Sequence, residues 1–392
     1  MVMRTSGFSL LAVALAVAAL RKGSARIVPL AIFLLALTVT TGCGQGGHVT
    51  AQPTVATSTT APPTASAPVI SGPETSPSVV YSEDGGATWH ASSLTGVTNA
   101  IAADPSDSSV AYAVQPDAGA GIQIMNTVDG GVTWNEMAHM PSDAGSWPYD
   151  MTTCSTLDGE LRLFVGTQTG LWTSDDDGAT WARIDSLPAV PAFRVATATS
   201  GATTVVFVSL VASPPNAVLY SSTDLTHWKK EADGVDSLSE STDGSQVFAL
   251  DELQPDQALV LGVESRQYIA LPHGLSGEAA SPILRMVGNL TDSSIVGQSG
   301  GDIWLSPDGG ATWRIVSQGS FASLAASADG STFLAGGFRT AMSRSVDGGQ
   351  TWSTLAGSPV TVSAIRFLSA NRVVAATEKI EGSIVPSLPE TK

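Results

Sequence analysis

Eight-residue segments ending in tryptophan recur through most of this 392-residue chain and constrain its fold more than any other feature. Five copies are intact: Ser82–Trp89, Thr127–Trp134, Ser174–Trp181, Ser306–Trp313 and Ser345–Trp352. Each opens on a hydroxyl residue and has an Asp two positions on (Asp84, Asp129, Asp176, Asp308, Asp347). A Gly follows two positions later (Gly86, Gly131, Gly178, Gly310, Gly349), and Thr-Trp closes the segment. A degraded sixth copy, read as Ser221–Trp228, keeps the Ser and Trp228 but neither Asp nor Gly. The starts lie 45, 47, 47, 85 and 39 residues apart, so the 85 reads as two periods with one copy erased near Gly262–Tyr268. Short polar side chains close turns by bonding local backbone N–H groups, Gly supplies positive φ, and Trp offers a large apolar face. Six of the nine Trp end such segments, which assigns those six to folding rather than to ligand stacking.

Each segment lies between two short β-rich runs, such as Gln123–Asn126 with Thr133–Met137. Two further apolar runs precede them in each period, such as Phe193–Thr197 with Val205–Leu210. Four short strands per period predict an all-β propeller, one four-stranded blade per repeat. Ser78–Leu94 supplies only the outer half of a blade, and Val362–Thr377 only an inner half. Joined, they complete one blade; residues 78–378 then give seven blades of 43 residues, closed by the N- and C-terminal strands with no open sheet edge. Six or eight blades are the alternatives, and Gly382–Ser387 competes with Val79–Ser82 for the closing place.

The pattern S-x-D-x-G-x-T-W resembles the Asp-box, or bacterial neuraminidase repeat, over about 300 residues. The resemblance implies that the boxes sit on peripheral turns away from the binding face. Sialidases share the repeat and fold; they hold a substrate carboxylate with three arginines, one in an F/Y-R-I-P motif ahead of the first box. A Tyr–Glu nucleophile and an acidic proton donor complete their site. That motif is missing here, and Phe193-Arg194-Val195-Ala196, the nearest echo, follows the third box. Regular spacing without an enzyme motif is more similar to the photosystem II assembly or stability factor-like propellers, scaffolds that hold partner proteins.

The chain ahead of the repeats has a different character. Ile27–Thr41 is an apolar run after a basic stretch, in the order of a secretory signal, and Phe8–Leu20 is surplus to it. Val39-Thr40-Thr41-Gly42-Cys43 resembles the bacterial lipobox, which implies acylation of Cys43 and residence on the outer face of the cytoplasmic membrane. Residues 43–77, rich in Thr, Pro, Ala and Gly, read as a tether between an export segment at 1–42 and the propeller at 78–378, with a tail at 379–392. Net charge is −17, and −21 once the four basic residues before Cys43 are set aside, which argues against nucleic acid as a partner.

Catalytic signatures are sparse. Gly297–Gly301 matches a nucleophile elbow but lies between strands, where a hairpin turn is the plainer reading. The five His lack metal-ligand spacing, Asp175–Asp177 reads as a solvated acidic turn, and Cys154 as a small core residue; no metal or cofactor is expected. Arg194, Arg285 and Arg366 fall on the innermost strands of blades 3, 5 and 7, where they would converge on the channel and share an anion. The candidate binding loops are His139–Asp150, with Trp147 and Tyr149, and Leu271–Pro282, with His273. The expectation is a monomeric, lipid-anchored, non-catalytic scaffold for a protein or glycan, the alternative an exo-acting sialidase-type hydrolase.

Overall fold

A computed structural model describes residues 77–377, apart from residues 118, 120, 157, 214–215, 251–255, 272–282 and 290–293. Seven four-stranded antiparallel sheets fill that span. Blades 1 to 6 follow one another, with innermost strands Ala100–Ala103, Pro148–Ser155, Ala192–Ser200, Ser237–Glu240, Ile283–Asn289 and Phe321–Ala326. Blade 7 joins Val362–Phe367 and Val373–Thr377 to Val79–Ser82 and His90–Ala91. Val79 stands opposite Ala376 and Ser82 opposite Val373, so seven blades closed by the two ends of the repeat region are found as the 43-residue period requires. The competing segment 382–387 lies outside the described residues.

The intact boxes share one hydrogen-bonded turn. In the last of them Gly349 N–H donates to Ser345 Oγ at 3.0 Å, Thr351 N–H to Asp347 Oδ1 at 2.9 Å, and Thr351 Oγ1–H to Asp347 Oδ2 at 2.6 Å. The first three boxes and the fifth of the chain's six repeat these bonds within a few tenths of an ångström. The degraded copy corrects the sequence register. Its hydroxyl is Ser222, not Ser221, and it has kept an acid: Ser222 Oγ bonds Asp224, which also accepts from the N–H groups of Thr226 and His227. This copy is one residue shorter between its hydroxyl and its Trp than the intact boxes, which hid the Asp. Leu225 takes over the glycine's conformation at φ 60°, and the His227 imidazole stands 2.8 Å from Asp224 in place of the missing Thr hydroxyl.

The boxes also do something the repeat alone does not reveal. The core divides into seven apolar clusters, one between each pair of neighbouring blades. Every box tryptophan reaches into the cluster shared with the preceding blade: Trp134 into 7/1, Trp181 into 1/2, Trp228 into 2/3, Trp313 into 4/5, Trp352 into 5/6 and Trp89 into 6/7. Gly131 lies against the same neighbour, because a Cβ there would come 2.3 Å from Val374 of blade 7. The box is therefore a staple between blades as well as a turn. Blade 4, whose box is erased into a tight Gly262–Ser265 hairpin, lacks this staple. An ion cluster bridges the 3/4 seam instead: Glu231 of blade 3, its side chain only 5% exposed, meets Arg266 of blade 4 at 2.7 Å and Lys229 at 2.9 Å.

Because the box hydrogen bonds favour the ionised Asp, they tie stability to pH. Asp347 is brought down to about 2 by its bonds from Thr351, and Asp84 to about 2 because the bonds from Thr88 and Ser82 outweigh its burial. Asp129, Asp176 and Asp308 are lowered in the same way. A carboxyl whose folded pKa lies below its unfolded value stabilises fully above the unfolded value and loses that contribution as pH falls through the folded one. The melting temperature should accordingly hold down to about pH 4 and fall steeply between about 4 and 2. Asp347→Asn should flatten that fall, and a melting profile indifferent to pH over this interval would refute the assignment.

Candidate functional site

A blade of four antiparallel strands puts its 1–2 and 3–4 connections on one face of the ring and its 2–3 and blade-to-blade connections on the other. The boxes are 3–4 connections, so each innermost strand starts at the face opposite them. Five innermost strands carry a β-bulge at that starting end, in blades 2, 3, 5, 6 and 7. The residue after the bulge is Asp150 in blade 2, Arg194 in blade 3, Arg285 in blade 5, Ser323 in blade 6 and Ala364 in blade 7. Bulges re-aim side chains, and here they set these residues at one level of the channel mouth. Arg366 lies two residues deeper than Ala364.

The innermost strands leave one backbone edge unpaired, and side chains of adjacent blades meet it. Arg366 Nε donates to Ile101 O of blade 1 at 3.1 Å, Asn99 Nδ2 to Pro148 O of blade 2 at 2.7 Å, and Val195 N–H of blade 3 to Asp150 Oδ2 at 3.2 Å. Thr197 N–H of blade 3 donates to Glu240 of blade 4 at 3.0 Å, and Met286 N–H of blade 5 to Ser239 of blade 4 at 3.4 Å. Arg285 Nε donates to Ala322 O of blade 6 at 3.0 Å, and Ser323 Oγ to Val362 O of blade 7 at 3.2 Å. All seven seams are thus bridged, which answers the demand that enclosed backbone groups be paired.

Arg285 and Arg366 consequently have a structural duty, but it uses only their Nε. Among the described residues Arg194 bridges no seam: its Nη1 donates at 3.1 Å to the carbonyl of its own neighbour, Phe193. The three are half-buried, and among the described residues none is ion-paired to a carboxylate. Their remaining N–H groups are not among the buried polar atoms without partners. The groups feel one another's charge. Burial, reinforced by Arg194 and Arg366 and opposed by Asp150, lowers Arg285 to about 10, still protonated at neutral pH. Burial likewise raises the Asp150 carboxyl against the pull of Arg194 and Arg366.

The loop expectations need correction. Pro148 begins the innermost strand of blade 2, so Tyr149 and Asp150 are strand residues rather than members of a long loop. A 3-10 turn at Ser142–Ala144 fills much of that connection. The Tyr149 ring packs on Phe193 with centroids 4.5 Å apart, which fits it to the blade 2/3 seam, and Trp147 is half-buried beside Pro148. His273 and Cys43 lie outside the described residues. Gly300 and Gly301, at φ 60° and 93°, form the hairpin turn expected of the elbow-like segment. Asp150 and Glu240 had no motif to mark them; aligning the starts of the innermost strands would have placed Asp150 level with Arg194 and Arg285.

No protein-family model and no curated protein matches the chain. Solved structures do resemble it. One described as YCF48 bound to D1 peptide is 18% identical with a TM-score of 0.53, over 74% of this chain and 95% of that one. YCF48 from Cyanidioschyzon merolae is 16% identical with a TM-score of 0.50, over 72% and 95%. At such identities the likeness establishes the fold and leaves the ligand to be argued from the residues.

Proposed function

We propose that this chain is a non-catalytic propeller that holds an acidic protein segment at the channel mouth opposite the boxes. The observation that carries the proposal is the set of three guanidiniums on innermost strands, none of them ion-paired to a carboxylate among the described residues. In a chain of net charge −17, that local excess of positive charge attracts an anion to one place. Guanidinium forks suit carboxylates, which an Asp or Glu side chain or a chain end supplies. A propeller of the same fold with D1 peptide bound supports a peptide over a glycan as the ligand class.

Hydrolysis is the weaker reading. Both Asp150 oxygens accept backbone N–H bonds, from Met151 and Val195, and Glu240 Oε1 accepts from Thr152 and Thr197. Among the described residues no tyrosine hydroxyl is hydrogen-bonded to a carboxylate, as a Tyr–Glu nucleophile requires. We also place the protein outside the cytoplasmic membrane, anchored through Cys43, on the strength of the signal-like run Ile27–Thr41 alone. Acyl labelling that persists in Cys43→Ala would remove that part.

Calorimetric titration with short Glu-containing peptides, alongside fluorogenic sialosides as a turnover control, tests the binding site. Arg194→Ala is the diagnostic variant because Arg194 bridges no seam among the described residues. It should bind at least about tenfold more weakly, the scale of one hydrogen bond to a charged group, with the melting temperature unchanged. Unchanged affinity, or sialoside turnover, would overturn the proposal.

A further inference from the structure

One exposed aromatic side chain stands apart from the apolar clusters of the seams. Phe338, 55% exposed, follows the second strand of blade 6 and lies on the face opposite the boxes. Blade 6 sits between the blades that carry Arg285 and Arg366, and its own innermost strand has the uncharged Ser323 at the level of Arg285. The backbone fixes Phe338 from both sides. Its N–H donates to Ser320 O at 3.2 Å, and it forms a β-bridge with Thr361, just before the innermost strand of blade 7. The Thr340 N–H donates to Val360 O at 2.8 Å.

Arg339 adopts φ 54°, a left-handed conformation that residues with a side chain rarely take. In that conformation its guanidinium lies over the Phe338 ring, 5.3 Å from the centroid. A rigid aromatic held in water with a cation on one side loses little freedom when a partner covers it, as the anchoring residues of interfaces do. Among the described residues no buried cluster includes the Phe338 side chain.

Phe338 is also close to the arginines. It is hydrogen-bonded to Ser320, two residues before Ala322, whose carbonyl accepts from Arg285. Strand spacing of about 4.8 Å and a rise of about 3.3 Å per residue put the Phe338 backbone within about 10 Å of that contact. An extended peptide covers this distance in about three residues.

We propose that Phe338 and Arg339 form an apolar subsite of the same mouth, and that the partner is an extended peptide with an acidic residue for the arginines and an apolar side chain two to four positions away for Phe338. The inference rests on the acidic-peptide reading above and adds a sequence requirement to it. Charge complementarity selects this occupant, because a purely apolar partner would leave the neighbouring guanidiniums desolvated and unpaired.

Selection from a random heptapeptide library displayed on phage, against the full chain, reads this requirement directly. Enriched peptides should carry Asp or Glu with Leu, Met or Phe two to four positions away. Phe338→Ser should reduce the apolar enrichment at least fivefold while the acidic enrichment stays, and Phe338→Tyr should restore it. Acidic enrichment with no apolar preference, or an apolar preference that survives Phe338→Ser, would overturn the subsite and leave the arginine site standing. Loss of acidic enrichment altogether would overturn both.

Discussion

Gly131→Ala should lower the stability of the propeller by about 2–5 kcal/mol. Two separate penalties meet there. Gly131 has φ 95°, a region that costs a residue with a Cβ about 1–2 kcal/mol. The new methyl would also lie 2.3 Å from Val374 Cγ1, on a fully buried, β-branched side chain with little rotamer freedom to yield, and overpacking of this kind costs about 1–3 kcal/mol. Gly309→Ala separates the terms. Gly309 has a comparable backbone at φ 69° but nothing within 4 Å of a Cβ, so only the first penalty applies. Urea denaturation of both variants measures the difference. Equal losses would mean that the box glycine is needed for its turn and that the contact with the preceding blade carries no energy.

The largest effect is expected from the closing blade. A chain lacking residues 77–91 should show no cooperative unfolding transition and should associate. The deletion strips the hydrogen-bonded partner from Val373–Thr377 and leaves a bare strand edge, a template for pairing between molecules. It also takes Val79 from the 7/1 cluster and Trp89 with Val80 from the 6/7 cluster. At about 1.5–3 kcal/mol per large apolar side chain, these losses approach the whole stability of a typical domain, about 5–15 kcal/mol. A synthetic peptide covering residues 77–91, added in trans, should restore the transition. Melting of the truncated chain at the parent temperature would show that the ring does not depend on this closure.

What could be read in advance, and what could not, follows from the range of the interactions. The box turn is local: Ser, Asp, Gly and Thr bond within four residues of one another, so spacing alone discloses both the turn and the blade period. Arg194, Arg285 and Arg366 could be placed on innermost strands because blade order follows from the period. The purpose of the box tryptophans could not, because their contacts lie in the preceding blade, some 40 residues away along the chain; Trp313, for example, donates to Ala270 O. The Ser222 register was hidden because that copy is one residue short, so a fixed template aligned on Trp228 lands on Ser221. Asp150 and Glu240 carry no local signature, for each matters through a backbone N–H of the next or preceding blade.

The closing blade also sets an order of events during synthesis. Val79–Ser82 is made early, yet its partner strand Val373–Thr377 is made last, nearly 300 residues later. At about 5–20 residues per second, the first strand of every new chain waits roughly 15–60 s for its place in the sheet. Over that interval Val79, which ends fully buried, lacks Val374 and Ala376, the part of its cluster that the closing strand supplies. A ribosome that stalls before residue 373 leaves six blades with no means of closing the circle, however well each has formed.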